Sequence, residues 1–207
     1  MTRGLYGSGK RNNVVKPLEN LKKYRIVLAS GSPRRKELLG ELGIDFVVDV
    51  KKGIDESYPA DMPAEQISEY ISREKAAAYS VATDELLITA DTTVVLDGEA
   101  LGKPRDKAEA KTMLRKLSGK THLVVTGVAI TTAERQKTFS AVTEVEFANL
   151  DDDEIDYYVE NFSPLDKAGA YGIQEWIGCA GVKRISGSFY NVMGLPVQRL
   201  YAELKAF

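Results

Sequence analysis

The chain reads as an α/β protein built on a central mixed β-sheet flanked by helices. Strand and helix patterns alternate along most of its 207 residues. Some apolar strand-length runs are separated by amphipathic helices and others by tight polar turns, an order that suits a mixed sheet. A hydrophobic content of 43% beside 28% charged residues suits a globular chain with a real core.

Residues 1–20 read as a flexible N-terminal extension, and residues 21–207 as one domain. Gly4-Leu5-Tyr6-Gly7-Ser8-Gly9-Lys10 imitates a Walker A loop. Arg11 stands where that motif needs a hydroxyl, and only three residues precede it, too few for the required strand. The first strand covers residues 24–29. A helix follows, with Ser32 at its N-cap, Pro33 in its first turn and Leu38, Leu39 and Leu42 on one face. Residues 45–50 form a second strand. Pro63 opens a helix through Ile67, Tyr70, Ile71 and Lys75 that ends near Val81.

A short buried strand covers residues 86–90, and 93–96 continue it into the hairpin signal Asp97-Gly98. Asp106 caps a helix that turns Ala110, Met113, Leu114 and Leu117 inward, and Gly119 stops it. Two long strands, 121–132 and 136–150, meet at a turn around Ala133-Glu134-Arg135. One helix starts near Asp151, and the last covers residues 196–206. No internal repeat, low-complexity tract or composition shift marks a boundary.

Four places carry unusual chemistry. Ser30-Gly31-Ser32-Pro33-Arg34-Arg35-Lys36 joins a strand to a helix start, where free backbone N–H groups sit beside two hydroxyls and three cations. That arrangement suits a phosphate, although a well-capped surface helix would look the same. Asp91, at the expected end of a buried strand, is either a turn-stabilising carboxylate or a metal ligand and general base. In Gly102-Lys103-Pro104-Arg105, Lys103 is a point-charge phosphate binder on a stiffened loop, or simply the approach to a helix. The stretch Ser163-Pro164-Leu165-Asp166-Lys167-Ala168-Gly169-Ala170-Tyr171-Gly172-Ile173-Gln174 sets an acid beside a base, then an aromatic and an amide. Asp166 could hold a metal, Lys167 a phosphate and Gln174 a base edge; a surface ion pair and a glycine-spaced core turn are the alternatives. Asp55-Glu56 and Arg73-Glu74-Lys75 add weaker signals. The acid run Asp151-Asp152-Asp153-Glu154 is read as a solvated helix start.

Several classes are disfavoured. A net charge of −2 argues against a generally basic nucleic-acid binder, so an anion site must be local. Cys179 is the sole cysteine, which forbids an internal disulfide and fits a reducing cytoplasm. No apolar run is long enough to span a bilayer, and none resembles a signal peptide. His122 is the only histidine, leaving no Cys/His zinc site and no supported Ser-His-Asp triad. Trp176 and Tyr171 are more readily core than base-stacking platforms.

Taken in order, these segments, with Leu117-Ser118-Gly119 and Gly187-Ser188-Phe189-Tyr190-Asn191-Val192-Met193-Gly194-Leu195-Pro196, resemble the Maf family of nucleoside triphosphate pyrophosphatases. The resemblance runs from about Tyr24 to the C-terminus. It implies an elongated, ITPase-like α/β fold with two lobes around a cleft, and hydrolysis of a nucleoside triphosphate to the monophosphate and pyrophosphate. It makes Asp91 the proton acceptor and matches Arg34, Thr92 and Gln174 to positions that set base preference. The Asp166-to-Gln174 pattern points to the dTTP/UTP branch rather than the 7-methyl-GTP branch. A homodimer is also in keeping with the resemblance.

The residues themselves suit that chemistry. Magnesium or manganese takes few protein carboxylates and prefers water and phosphate oxygens, so Glu56, Asp91 and Asp166 suffice as ligands. Asp91, Lys75 and Lys103 form the expected catalytic group. Ser30, Ser32, Arg34, Arg35, Thr92, Lys167 and Gln174 form the expected substrate contacts. A nucleotide-sensing, division-related module with little turnover is the alternative, and it would have no need of the full acid set. Single-stranded nucleic-acid binding lacks the basic groove and aromatic series it needs.

Overall fold

The computed structural model describes residues 18–207, so the Gly4-to-Lys10 segment and positions 1–17 of the expected extension lie outside the described residues. Glu19–Leu21 form a 3-10 turn with Leu21 buried, and Asn20 Nδ2 donates to the Leu204 carbonyl at 2.8 Å, so ordered packing begins before residue 21. The elements in order are β1 (Arg25–Leu28), α1 (Pro33–Glu41), β2 (Val47–Val48), α2 (Ala64–Ala77), β3 (Glu85–Leu96), β4 (Glu99–Leu101) and α3 (Lys107–Leu117). They continue with β5 (Thr121–Thr131), β6 (Gln136–Phe147), α4 (Asp152–Phe162), α5 (Trp176–Gly181), β7 (Val182–Ser186), α6 (Phe189–Met193) and α7 (Val197–Lys205). No helix among the described residues is long and apolar enough to cross a membrane.

The strands make one mixed sheet in the order β2-β1-β3-β5-β6-β7, with β4 also paired to β3. β1 runs parallel to β2 and β3; the remaining pairs are antiparallel. This is the expected α/β class with a mixed central sheet, and several local expectations change. Asp91 does not end a strand: β3 is continuous over twelve residues, and Asp91 pairs with Gly127 at its middle. The run 45–50 keeps only two paired residues, because β2 is an exposed sheet edge. The helix expected to reach Val81 stops at Ala77, where Lys51 Nζ takes the Ala78 carbonyl at 2.7 Å. The acid run from Asp151 is a helix start as expected, closed by a capping box in which Asp151 and Glu154 each accept the other's backbone N–H.

β5 occupies one edge of β3 along most of its length. On the other edge β1 pairs with residues 85–88 and β4 with residues 94–96. Residues 89–93 therefore have no strand neighbour on that side. Side chains alternate across a strand, so even-numbered positions of β3 share one face. Leu86, Ile88 and Ala90 enter a core with Leu39, Leu195 and Leu200; Val94 and Leu96 enter a second with Leu114, Phe147 and Tyr158. Thr92 stands between the two. The sheet is thus shared by two packed lobes, and the gap between them opens at the free edge of β3.

Helix α2 covers the opposite face. Ile67 and Ile71 pack on Val95 and Val125, and Ala76 packs on Leu87 and Ala129. The crossing is tight at Gly127, where an added Cβ would lie 2.3 Å from the Glu69 backbone nitrogen. Gly127→Ala should push α2 off the sheet and cost about 1–3 kcal/mol. Calorimetry should then show the melting temperature falling by about 2–12 °C for a domain of this size. An unchanged melting temperature would mean that α2 does not sit on Gly127.

Candidate active site

The loop after β1 turns directly into α1 because Ser32 and Pro33 start the helix. Ser32 Oγ accepts the Arg35 N–H at 3.5 Å, and Ser30 Oγ accepts the Ser32 N–H at 3.3 Å. That turn aims Arg35 at the free edge of β3. Its Nη1 donates to the Ala90 carbonyl at 2.8 Å and to Ser30 Oγ at 3.4 Å. Nη2 donates to Thr92 Oγ1 at 3.0 Å, and Nε to the Gly194 carbonyl at 2.8 Å. One guanidinium thereby ties the loop, the strand edge and the turn after α6 together. Burial pulls Arg35 below its ordinary value, and the Asp91 carboxylate offsets part of that. Four of its five N–H donors are taken by the protein, so Arg35 chiefly shapes the cleft and supplies charge to it.

On the α2 face of β3, Asp91 accepts a hydrogen bond from Lys75 Nζ at 2.8 Å, and the same ammonium lies 3.1 Å from Glu56. Asp91 and Lys75 are largely buried, whereas Glu56 is half exposed. Across the gap, Asp166 pairs with Arg34 at 3.1 Å and with Lys167 at 2.7 Å. Partial burial of Asp166 opposes its ionisation, yet the hydrogen bonds from Lys167 and Arg34 prevail and hold the carboxyl below its ordinary value. Lys167 also contacts Glu175 at 3.0 Å. Lys103 lines the cleft without an ion-pair partner among the described residues.

All twelve site residues expected from sequence line two adjoining cavities. An inner one of about 130 Å³ includes Thr92, Val94, Val124, Tyr171, Gln174 and Met193. An outer one of about 420 Å³ includes Ser30, Gly31, Val50, Lys51 and Glu56. Ser32, Arg34, Arg35, Lys75, Lys103 and Asp166 line both. The three acids expected at a metal do not converge: Glu56 and Asp91 share Lys75, while Asp166 is held by Arg34 and Lys167. No cluster of three potential ligands from Asp, Glu, His and Cys occurs among the described residues.

A family model for Maf-like proteins matches residues 25–207. This chain belongs to the Maf family. It is 63% identical over 190 residues to a dTTP/UTP pyrophosphatase of Phocaeicola vulgatus, covering 91% of this chain and 98% of that one. A protein of the same name from Bacteroides thetaiotaomicron is 62% identical over the same shares. One from Porphyromonas gingivalis is 56% identical over 194 residues, 92% of this chain and 98% of that one. Among solved structures, the Staphylococcus aureus Ham1 protein aligns with a TM-score of 0.49 at 19% identity, covering 88% of this chain and 98% of that one.

Sequence reasoning missed part of this Maf cleft. Glu175 is turned inward beneath Lys167, and Tyr158, from the far side of the lobe, donates to it. Glu175-Trp176 stands out in sequence only as a bulky pair directly after Gln174, with nothing to name the partner of the carboxylate, and a Tyr on an amphipathic helix reads as core. Trp176 packs on Tyr157, with ring centroids 5.0 Å apart, rather than lining the cleft. Tyr171 lines the inner cavity and is anchored from behind, its hydroxyl 2.8 Å from His122 Nε2.

Burial pushes His122 down from its ordinary 6.5 to about 4. Between those values the unfolded chain carries a proton at His122 that the folded chain does not, so stability falls as pH drops through that window. The loss should approach about 3 kcal/mol by pH 4. Nuclear magnetic resonance of the single imidazole should show no titration near 6.5, and denaturant unfolding of His122→Gln should lose this slope. A histidine that titrates at its ordinary value would contradict the buried His122–Tyr171 pair.

Proposed function

We propose that this protein hydrolyses dTTP and UTP to the monophosphate and pyrophosphate in the cleft between its lobes. The observation that carries this reading is the meeting of two unlike cavities at Lys75, the cation that holds Asp91. The inner one pairs apolar walls with the hydroxyl of Thr92 and the amide of Gln174, groups suited to a nucleobase edge. The outer one is walled by the Ser30–Ser32 loop and by Arg34, Arg35, Lys51, Lys75 and Lys103, groups suited to a polyphosphate. A nucleotide with its base inside and its β- and γ-phosphates outside sets its α-phosphorus at the junction. The relatives named as dTTP/UTP pyrophosphatases support the choice of pyrimidines.

Water attacks the α-phosphorus. The new P–O bond forms as the bond to the α,β-bridging oxygen breaks, and pyrophosphate departs. Asp91 takes the water proton, and Lys75, held between Asp91 and Glu56, fixes the orientation of that carboxylate. Arg34 and Lys103, which line both cavities, meet the charge that builds on the leaving group, and Lys167, on the inner side, meets that on the α-phosphoryl oxygens. Gln174 and Thr92 select the base.

Glu56 and Asp91 already share one cation, the Lys75 ammonium, and so fit a magnesium or manganese ion that needs only one or two carboxylates beside phosphate oxygens. Such an ion would neutralise phosphate charge and polarise the phosphorus. The lone cysteine and the nucleotide substrate support a cytoplasmic location for the reaction.

The test is pyrophosphate release from dTTP, UTP, CTP, GTP and 7-methyl-GTP, with magnesium or manganese and with EDTA as control. Turnover should be metal-dependent and fastest on dTTP and UTP. Asp91→Asn should lower kcat by about 10²–10⁴, the size of a lost general base. Near-normal turnover in that variant would remove Asp91 from the proton transfer, and nucleotide binding without turnover would favour a sensor.

A further inference from the structure

We infer that Glu175, braced by Tyr158, is a positioning residue that holds the Lys167 ammonium against the substrate; the inference rests on the reading of Lys167 as a phosphate contact. Lys167 is nearly buried, with 9% of its side chain exposed, and it sits between two carboxylates of different character. Asp166 is 59% exposed and shares itself with Arg34 on the other lobe. Glu175 is 19% exposed, and its second oxygen accepts the Tyr158 hydroxyl hydrogen. Tyr158 in turn accepts the Gly172 N–H at 3.0 Å. Its ring is fully buried and stacks on Phe162 with centroids 5.3 Å apart.

The path from the rigid core of the lobe to the cleft is thus continuous, from the Tyr158 ring to its hydroxyl, to Glu175, to the Lys167 ammonium. Space has been kept for it. A Cβ on Gly172 would come within 2.8 Å of the Glu175 carboxyl carbon and 3.0 Å of Lys167 Cε. Incoming phosphate competes with Asp166 for Arg34 and Lys167, and the exposed Asp166 can turn to solvent. Glu175 cannot follow it, because Tyr158 holds it. The ammonium therefore keeps one counter-ion and one location while it contacts the phosphate. Without Glu175 it is tied only to Asp166 and leaves with it.

The experiment is a double-mutant cycle on the full chain, with KM and kcat for dTTP and the melting temperature of each variant. Lys167→Ala should raise KM about tenfold or more, the size of a lost charge-assisted hydrogen bond, with kcat changed far less. Glu175→Gln keeps the shape of the side chain and should raise KM several-fold with kcat nearly intact. The double variant should match Lys167→Ala alone. Tyr158→Phe should move KM in the same direction and likewise add nothing to Lys167→Ala, and it carries the cycle if Glu175→Gln does not fold. The proposal is overturned if both Glu175→Gln and Tyr158→Phe leave KM unchanged or lower it. It is equally overturned if their factors multiply with that of Lys167→Ala. An unchanged KM in Lys167→Ala itself would instead remove Lys167 from the substrate, and the proposal with it.

Discussion

The open edge of β3 is the constraint on which the rest of the molecule depends. β1 leaves that edge at Ile88 and β4 takes it up again at Val94. In between, backbone groups that a neighbouring strand would satisfy must find other partners or water. Arg35 supplies one, at the Ala90 carbonyl, and the same guanidinium reaches Ser30, Thr92 and Gly194. A sheet continuous on this side would have no cleft, and one without Arg35 would lose a guanidinium that ties the β1–α1 loop and the turn after α6 to the edge of β3. The strand alternation then puts Thr92 on one face of the gap and Asp91 on the other, so in the proposed reaction one short segment serves both recognition and chemistry.

Electrostatics explains how a chain with net charge −2 can receive a triphosphate. The cleft cations are held by carboxylates that differ in what they can give up. Glu56 and Asp166 are more than half exposed and can yield to phosphate or solvent. Asp91 and Glu175 are largely buried and hold their places. Exposed pairs of the first kind contribute little to stability, so their rearrangement costs little. Buried pairs of the second kind set geometry, because removing one partner would strand a charge in a poorly solvated place.

Much of this was legible in the sequence, for identifiable reasons. The Ser32–Pro33 helix start, the Asp97-Gly98 hairpin and the Asp106 cap follow from local chemistry that tertiary packing does not overrule. The residues that line the two cavities were legible because unusual side chains cluster at loop and strand positions. What escaped notice depended on partners distant in the chain. Asp91 looked like a strand end because its carboxylate interrupts an apolar run, yet the ladder to β5 carries the strand through it. β7 carries no strand signal of its own, since Lys183 and Arg184 interrupt its apolar positions and pair with Glu146 on β6. Glu175 gains its partners only in the fold, where Lys167 and Tyr158 close on it.

Attack of water on the α-phosphorus at the junction of the two cavities is the central step of the proposed reaction. The direct measurement is hydrolysis of dTTP in ¹⁸O-labelled water, followed by mass spectrometry of both products. Label in the monophosphate alone, with unlabelled pyrophosphate, is the predicted result. Label in the pyrophosphate would put the attack at the β-phosphorus and contradict the placement of the nucleotide, and with it the role of Asp91.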